Sequence, residues 1–138
     1  MSYYLTRTLD APFAEAVTRV RGALAAEGFD VISEIDVQAI LRARLGVEFR
    51  PYLVLGACDP ALACEALQVE PKIGAMLPCN VVIQDAGEGR TEVAAINPLS
   101  AMLAIDNPEL HEKAAHVAEK LRNAVQRACV AAPASPAA

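Results

Sequence analysis

Between Asn107 and Ala128 apolar side chains recur every third or fourth residue. Leu110, Ala114, Val117, Leu121, Ala124, Val125 and Ala128 stand against Glu112, Lys113, Glu119, Lys120 and Arg122. At about 3.6 residues per turn this draws one apolar stripe down a helix that Asn107-Pro108 opens. So long a stripe must lie on an equally broad apolar surface. A second helix of the same kind is predicted over Pro12–Glu27. Asp10 and Pro12 supply its start, Phe13, Ala16, Val17, Val20 and Leu24 keep helical spacing, and Gly28 offers the left-handed residue that closes it. Two long helices with one apolar face each are best accommodated on one side of a sheet.

The rest of the chain supplies that sheet. Tyr3 to Thr8 alternates as a strand does, and Asp30 to Ile35 is rich in β-branched residues. Tyr52 to Cys58 is a nearly continuous apolar run, which places it inside the sheet. Met76 to Gln84, with Pro78 near its start, and Thr91 to Ile96 flank the turn Ala86-Gly87-Glu88-Gly89 and read as a hairpin that Asn97-Pro98 ends. Two short helices are predicted between strands. Asp36 caps the first, with Val37, Ile40, Leu41 and Leu45 inward and Gly46 at its close; Asp59-Pro60 opens the second, through Leu67, with Cys64 riding on it. Pro71 and Gly74 then break the chain.

The expected fold class is therefore α+β: a strand, a helix, four strands and a helix, β-α-β(4)-α, with a mainly antiparallel sheet and two long helices on one face. It forms a single domain over residues 1–130, followed by an Ala/Pro tail over 131–138 that lacks a large apolar anchor and is expected to be disordered. Leu53, Leu55, Val82 and Val93 are not expected to point toward one layer, because side chains alternate along strands. The second sheet face then needs cover, from a partner subunit or from an apolar ligand pocket. A two-fold homodimer is the commoner solution.

Composition narrows the partners. Twelve basic against 17 acidic residues give a net charge of −5, and aromatics are 4% with no Trp. A phosphate-binding face or a base-stacking platform is not expected, so nucleic acid is excluded as a partner. The start Met1-Ser2-Tyr3-Tyr4-Leu5-Thr6-Arg7 shows no export signal, and the apolar stretches near Tyr52 and Ala75 contain Gly, Pro and Asn and are too short to span a bilayer. A soluble, cytoplasmic protein without membrane contact is expected. Cys58, Cys64, Cys79 and Cys129 lack the dense spacing of a disulfide framework and are read as reduced thiols.

Three segments ask for more than packing: Gly28 to Asp36, Leu55 to Pro60 and Leu77 to Val81. The Gly-Phe-x-Val stretch ending in Ile35-Asp36, Leu55-Gly56-x-Cys58-x-Pro60 and Leu77-Pro78-Cys79-Asn80-Val81 together resemble the bacterial and archaeal family called domain of unknown function 302, over about Tyr3 to Asn107. The resemblance implies a TATA-binding-protein-like arrangement, often dimeric, and no activity. Fold likeness to a DNA-binding protein does not transfer DNA binding. Asp30 departs from the glycine expected there, so the backbone after Phe29 is expected to differ.

Cys58 ends one strand and Cys79 begins another, so an antiparallel register brings both to one end of the sheet. The leading reading is a small ligand or metal bound there, with Glu34, Asp36, Cys58, Asp59, Cys79 and Asn80 as candidate ligand-binding residues; the identity of any metal or cofactor stays open. A thiol-dependent redox or transfer enzyme using Cys58 or Cys79 is the first alternative. The helix dipole at Pro60 would favour a Cys58 thiolate and Asp59 would oppose it. A homodimeric interaction module without ligand is the second, in which both cysteines are merely small buried apolar residues. Locally, Asp36 has a plain reading as a helix cap and Asn80 as a partner for backbone at a strand entry. Glu34 faces away from an inward Ile35 and becomes either a general acid or base or part of a solvated strand face. His111-Glu112-Lys113-Ala114-Ala115-His116 has one residue too many for the zinc-protease pattern and sets its histidines about 140° apart around the helix. No phosphate loop is present. Met76, Met102 and Leu103 are compatible with either a pocket lining or plain core.

Overall fold

The structure is a computed structural model that describes residues 2–130. Its elements run β1 (Tyr4–Leu9), α1 (Phe13–Ala26), β2 (Asp30–Asp36), α2 (Val37–Leu45), β3 (Tyr52–Cys58), α3 (Pro60–Val69), β4 (Cys79–Gly87), β5 (Arg90–Ile96), α4 (Pro98–Ala101) and α5 (Pro108–Cys129). The helix starts follow the capping chemistry. The side chains of Asp36, Asp59 and Asn107 accept hydrogen bonds from the backbone N–H groups of Ala39, Leu62 and Leu110 at 2.9, 3.2 and 3.3 Å. Gly28, just past the end of α1, takes φ 87°, a conformation that glycine adopts without the Cβ penalty.

The five strands form one antiparallel sheet in the order β1-β5-β4-β3-β2. Alternation sorts its side chains into two faces. Leu9, Leu53, Leu55, Ala57, Cys79, Val81, Ile83, Val93 and Ala95 are buried beneath the two long helices, against Ala16, Val20 and Leu24 of α1 and Leu121, Ala124, Val125 and Ala128 of α5. Thr91 is a polar side chain fully buried on this face, and its hydroxyl donates to the Ala11 carbonyl at 2.8 Å. A second cluster of Ala66, Ile73, Met102, Leu110 and Ala114 lies under α3, α4 and the first turns of α5.

The opposite face carries no helix among the described residues. The register aligns Ile35, Val54, Val82, Ala94 and Thr6 as one row across all five strands. The four residues expected not to share one layer divide accordingly: Leu53, Leu55 and Val93 lie on the helix face and Val82 points away. The reason is the register, which pairs Leu53 with Ile83 and Ile83 with Val93. Glu34 and Ile35, by contrast, are inverted relative to the expectation of an inward Ile35. Glu34 pairs with Leu55 on the helix side and Ile35 with Val54 on the bare side, because an irregularity between Val31 and Ser33 shifts the alternation of β2.

Other departures are local. The α2 helix forms between its predicted cap and Gly46, yet none of its residues is buried, and Ile40 and Leu45 are 47% and 69% exposed. It follows the edge strand β2, where the sheet offers it little surface. Strand β4 begins at Cys79, because Pro71–Met76 coils into 3-10 turns first. The short α4 was not predicted. The expected tail over 131–138 lies outside the described residues. Among those described, no helix is long and apolar enough to cross a membrane.

Candidate functional site

The three motif segments meet at one end of the sheet. In the register Asp30 faces Cys58, Ala57 faces Cys79 and Gly56 faces Asn80. Gly56 is the tightest point of the junction. A Cβ there would stand 2.1 Å from Ser33 Oγ and 2.6 Å from Pro78 Cγ, closer than non-bonded atoms come, so glycine alone lets the first and third segments close over the second.

Beside this junction, on the helix side, lies an apolar cavity of about 40 Å³. Cys58, Asp59 and Cys79 line it, together with Phe29, Leu62, Leu77 and Met102 among others. The cavity thus sits where the main core and the second cluster adjoin. Pocket-forming side chains come from β3, β4, α3, α4 and α5, so no single stretch of sequence displays it.

Both thiols are held protonated. Burial, then the carboxylates of Asp30 and Asp59, raise the pKa of Cys58. Burial, with a smaller contribution from Cys58, pushes Cys79 up to about 11. Asp59 behaves in the opposite way. Burial raises its pKa, but hydrogen bonds from Lys120 and the Leu62 amide and the charge of Lys120 outweigh that and hold it below the ordinary carboxylate value. Lys120 in turn lies over the Phe29 ring, 5.2 Å from its centroid, and so ties α5 to the first two motifs.

The remaining candidates are elsewhere. Glu34 forms an ion pair with Arg21 of α1, which gives it a structural partner on the helix side. Asp36 caps α2 at the far end of β2. Asn80 is exposed on the bare face, where with Tyr4, Thr6, Tyr52, Val82, Gln84 and Glu92 it borders a shallow concavity of about 420 Å³. Cys64 is exposed on α3, and Cys129 is half-buried in α5. Among the described residues no group of three or more His, Cys, Asp and Glu side chains is gathered as a metal site. Lys120 was missed in the sequence because it belongs to a polar helix face; Phe29 lay within the first motif, but a lone aromatic gave no reason to count it among the site residues. Met102 is one of three residues for which pocket and core were equally open; it lines the cavity, whereas Met76 and Leu103 are exposed.

The comparisons agree with the motifs. The family described as "Domain of unknown function DUF302" matches over residues 5–128. The crystal structure of an uncharacterised conserved DUF302 protein from Bacillus stearothermophilus is similar at 26% identity, with a TM-score of 0.85 over 94% of this chain and 99% of that one. No curated protein matches the chain.

Proposed function

This chain belongs to the DUF302 family, and from that premise we propose that it is a small cytoplasmic binding module, acting without catalysis, that holds a ligand of ion to few-atom size at the Cys58/Cys79 end of its sheet. The observation that carries this reading is the cavity at the meeting point of the three motif segments, lined by both of their cysteines. Its volume limits the ligand. Sites for drug-sized molecules run to several hundred Å³, on the order of ten times more. Raised thiol pKa values weigh against the rival reading, a thiol nucleophile, since the thiolate is the reactive form.

Native mass spectrometry of freshly purified protein, compared with the same sample denatured and with elemental analysis, tests the reading. Extra mass that is lost on denaturation and absent from Cys58→Ser supports it; a clean chain in both states counts against it.

Two copies meet, on this proposal, across the bare sheet face. The cross-strand row of Ile35, Val54, Val82 and Ala94 supplies an apolar centre, with Tyr52, Gln84 and Glu92 as a more polar flank. A charge at the middle of that row should split the pair, so Val82→Lys is expected to sediment as a monomer where the unmodified chain sediments as a dimer. A single-chain mass for the unmodified protein would remove the dimer from the proposal.

A further inference from the structure

The bare face of the sheet is uneven, and register sets its relief. The middle row reads Ile35, Val54, Val82, Ala94 and Thr6 from β2 to β1, so side-chain bulk falls from one edge of the sheet to the other. At the β2 edge Ile35 stands 44% exposed. Toward the β1 edge, Ala94 and Thr6 line the concavity of about 420 Å³, whose border also takes in Tyr4 and Glu92. The row on the Cys58/Cys79 side tapers the opposite way. Ser33 and Gly56 are small on its β2 side, and Ile96 and Tyr4 are large on its β1 side, with Asn80 of β4 beside Gly56.

The third row carries charge. Arg50 Nε donates to Gln84 Oε1 at 2.8 Å, and Gln84 Nε2 donates to Glu92 Oε1 at 3.0 Å. A ladder thus crosses the face from the start of β3, through β4, to β5, with a cation at one end and a carboxylate at the other. The Arg50 guanidinium lies 4.4 Å from the Phe49 ring centroid and 5.8 Å from that of Tyr52, which holds it in place. Among the described residues neither Arg50 nor Glu92 belongs to an ion pair.

Sheets that pack face to face keep their strands nearly aligned, so a two-fold axis between two such faces runs close to along the strands or across them. An axis across the strands sets each strand on its own copy. Ile35 then meets the partner's Ile35 and hollow meets hollow, while the charged row lies over the uncharged row of Ser33 and Tyr4. An axis along β4, the middle strand of the five, reverses the strand order instead. Ile35 then falls over the partner's Thr6, Val54 over the partner's Ala94, and Tyr4 over the partner's Ser33. The cationic end of each ladder falls over the acidic end of the other. We propose that the chain pairs with a second copy of itself about a two-fold axis along β4, each Ile35 seated in the partner's concavity and each Arg50 paired with the partner's Glu92. This rests on the reading of the bare face as the dimer surface and gives that surface its geometry. Asn80, Val82 and Gln84 lie along the axis and meet their own copies. The amides of Asn80 and Gln84 carry both donor and acceptor, so each is complementary to itself. Charges placed this way select the same chain as partner and fix the register between the two sheets.

The test is sedimentation of the full chain over a range of concentrations at low ionic strength, with Arg50→Glu and Glu92→Arg made separately. Each reversal places two like-charge contacts in its own dimer and should weaken it by about tenfold or more. Mixed one to one, the two variants should pair as tightly as the unmodified chain, because at both contacts the reversed charge on one copy then meets its opposite on the other. Mixing repairs neither a disturbance of the ladder within one chain nor a folding fault, so recovery reports contact between copies. Ile35→Ser, which removes the projecting side chain, should weaken the dimer by about tenfold as well. Reversals that leave the dimer intact, or a mixture that fails to recover, overturn the axis; where Val82→Lys still splits the pair, the reading of the bare face survives. A single-chain mass for the unmodified protein removes both.

Discussion

The two ends of strand β2 were comparably rich in signals, and the fold treats them differently. At the Asp30 end the chain meets Cys58, Gly56 and Pro78 in a junction with no room for a methyl group, beside an apolar cavity. At the Asp36 end it caps a helix with no buried residue. A capping side chain satisfies backbone donors within its own turn and so reports only where a helix starts. Enclosure depends on what other strands and helices bring, and α2 follows an edge strand with little beside it.

The comparison can be broken by substitutions graded along it. The largest effect belongs to the core that both ends share: Leu121→Ala, at a position with no exposed surface, should cost about 2–5 kcal/mol in denaturant unfolding. Next comes the junction, where Gly56→Ala should cost about 1–3 kcal/mol, since Pro78 has to move aside. A neutral Gly56→Ala would mean that the segments do not close as described.

Asp59 sharpens the contrast through pH. Its folded pKa lies below the unfolded value, so it contributes stability at pH above the ordinary carboxylate range, and that contribution is lost as pH falls through the folded pKa. Asp59→Asn keeps a capping residue and removes the charge. The unmodified chain should therefore lose more stability than Asp59→Asn on acidification below about pH 4, as thermal melts would show. Parallel acid profiles would refute the role of the Lys120 pair. At the other end, Asp36→Ala should cost about 1 kcal/mol or less, and Ile40→Ala should change stability by no more than about 0.5 kcal/mol. A larger loss at Ile40 would show that α2 is covered in solution.

These contrasts also mark what a single sequence can convey. The stripe from Leu110 to Ala128 and the caps at Asp36, Asp59 and Asn107 are local, and helix existence followed from them. The continuous apolar run from Tyr52 correctly placed β3 inside the sheet. The face on which each strand residue lies is set by register, and one irregularity after Val31 was enough to exchange Glu34 with Ile35. The convergence of Cys58 with Cys79 was legible because both mark strand ends in an antiparallel order. Lys120 and Met102 reach the same place from α5 and from the segment after α4, over sequence distances that no motif spans.

Strand order has a further consequence in time. The middle of the sheet, from β2 to β5, can grow as the chain lengthens, each strand laid beside the one before it. Strand β1 cannot join in that way, because among the described residues its only partner strand is β5, and the Thr6 hydroxyl bonds the Val93 carbonyl 87 residues later. On a ribosome the first strand of this sheet is thus the last to be paired, and until Ile96 has emerged its partner edge does not exist. Contacts of such long separation are slow to close and leave a bare strand meanwhile. The interval in which this protein is most exposed to sticking falls during its own synthesis.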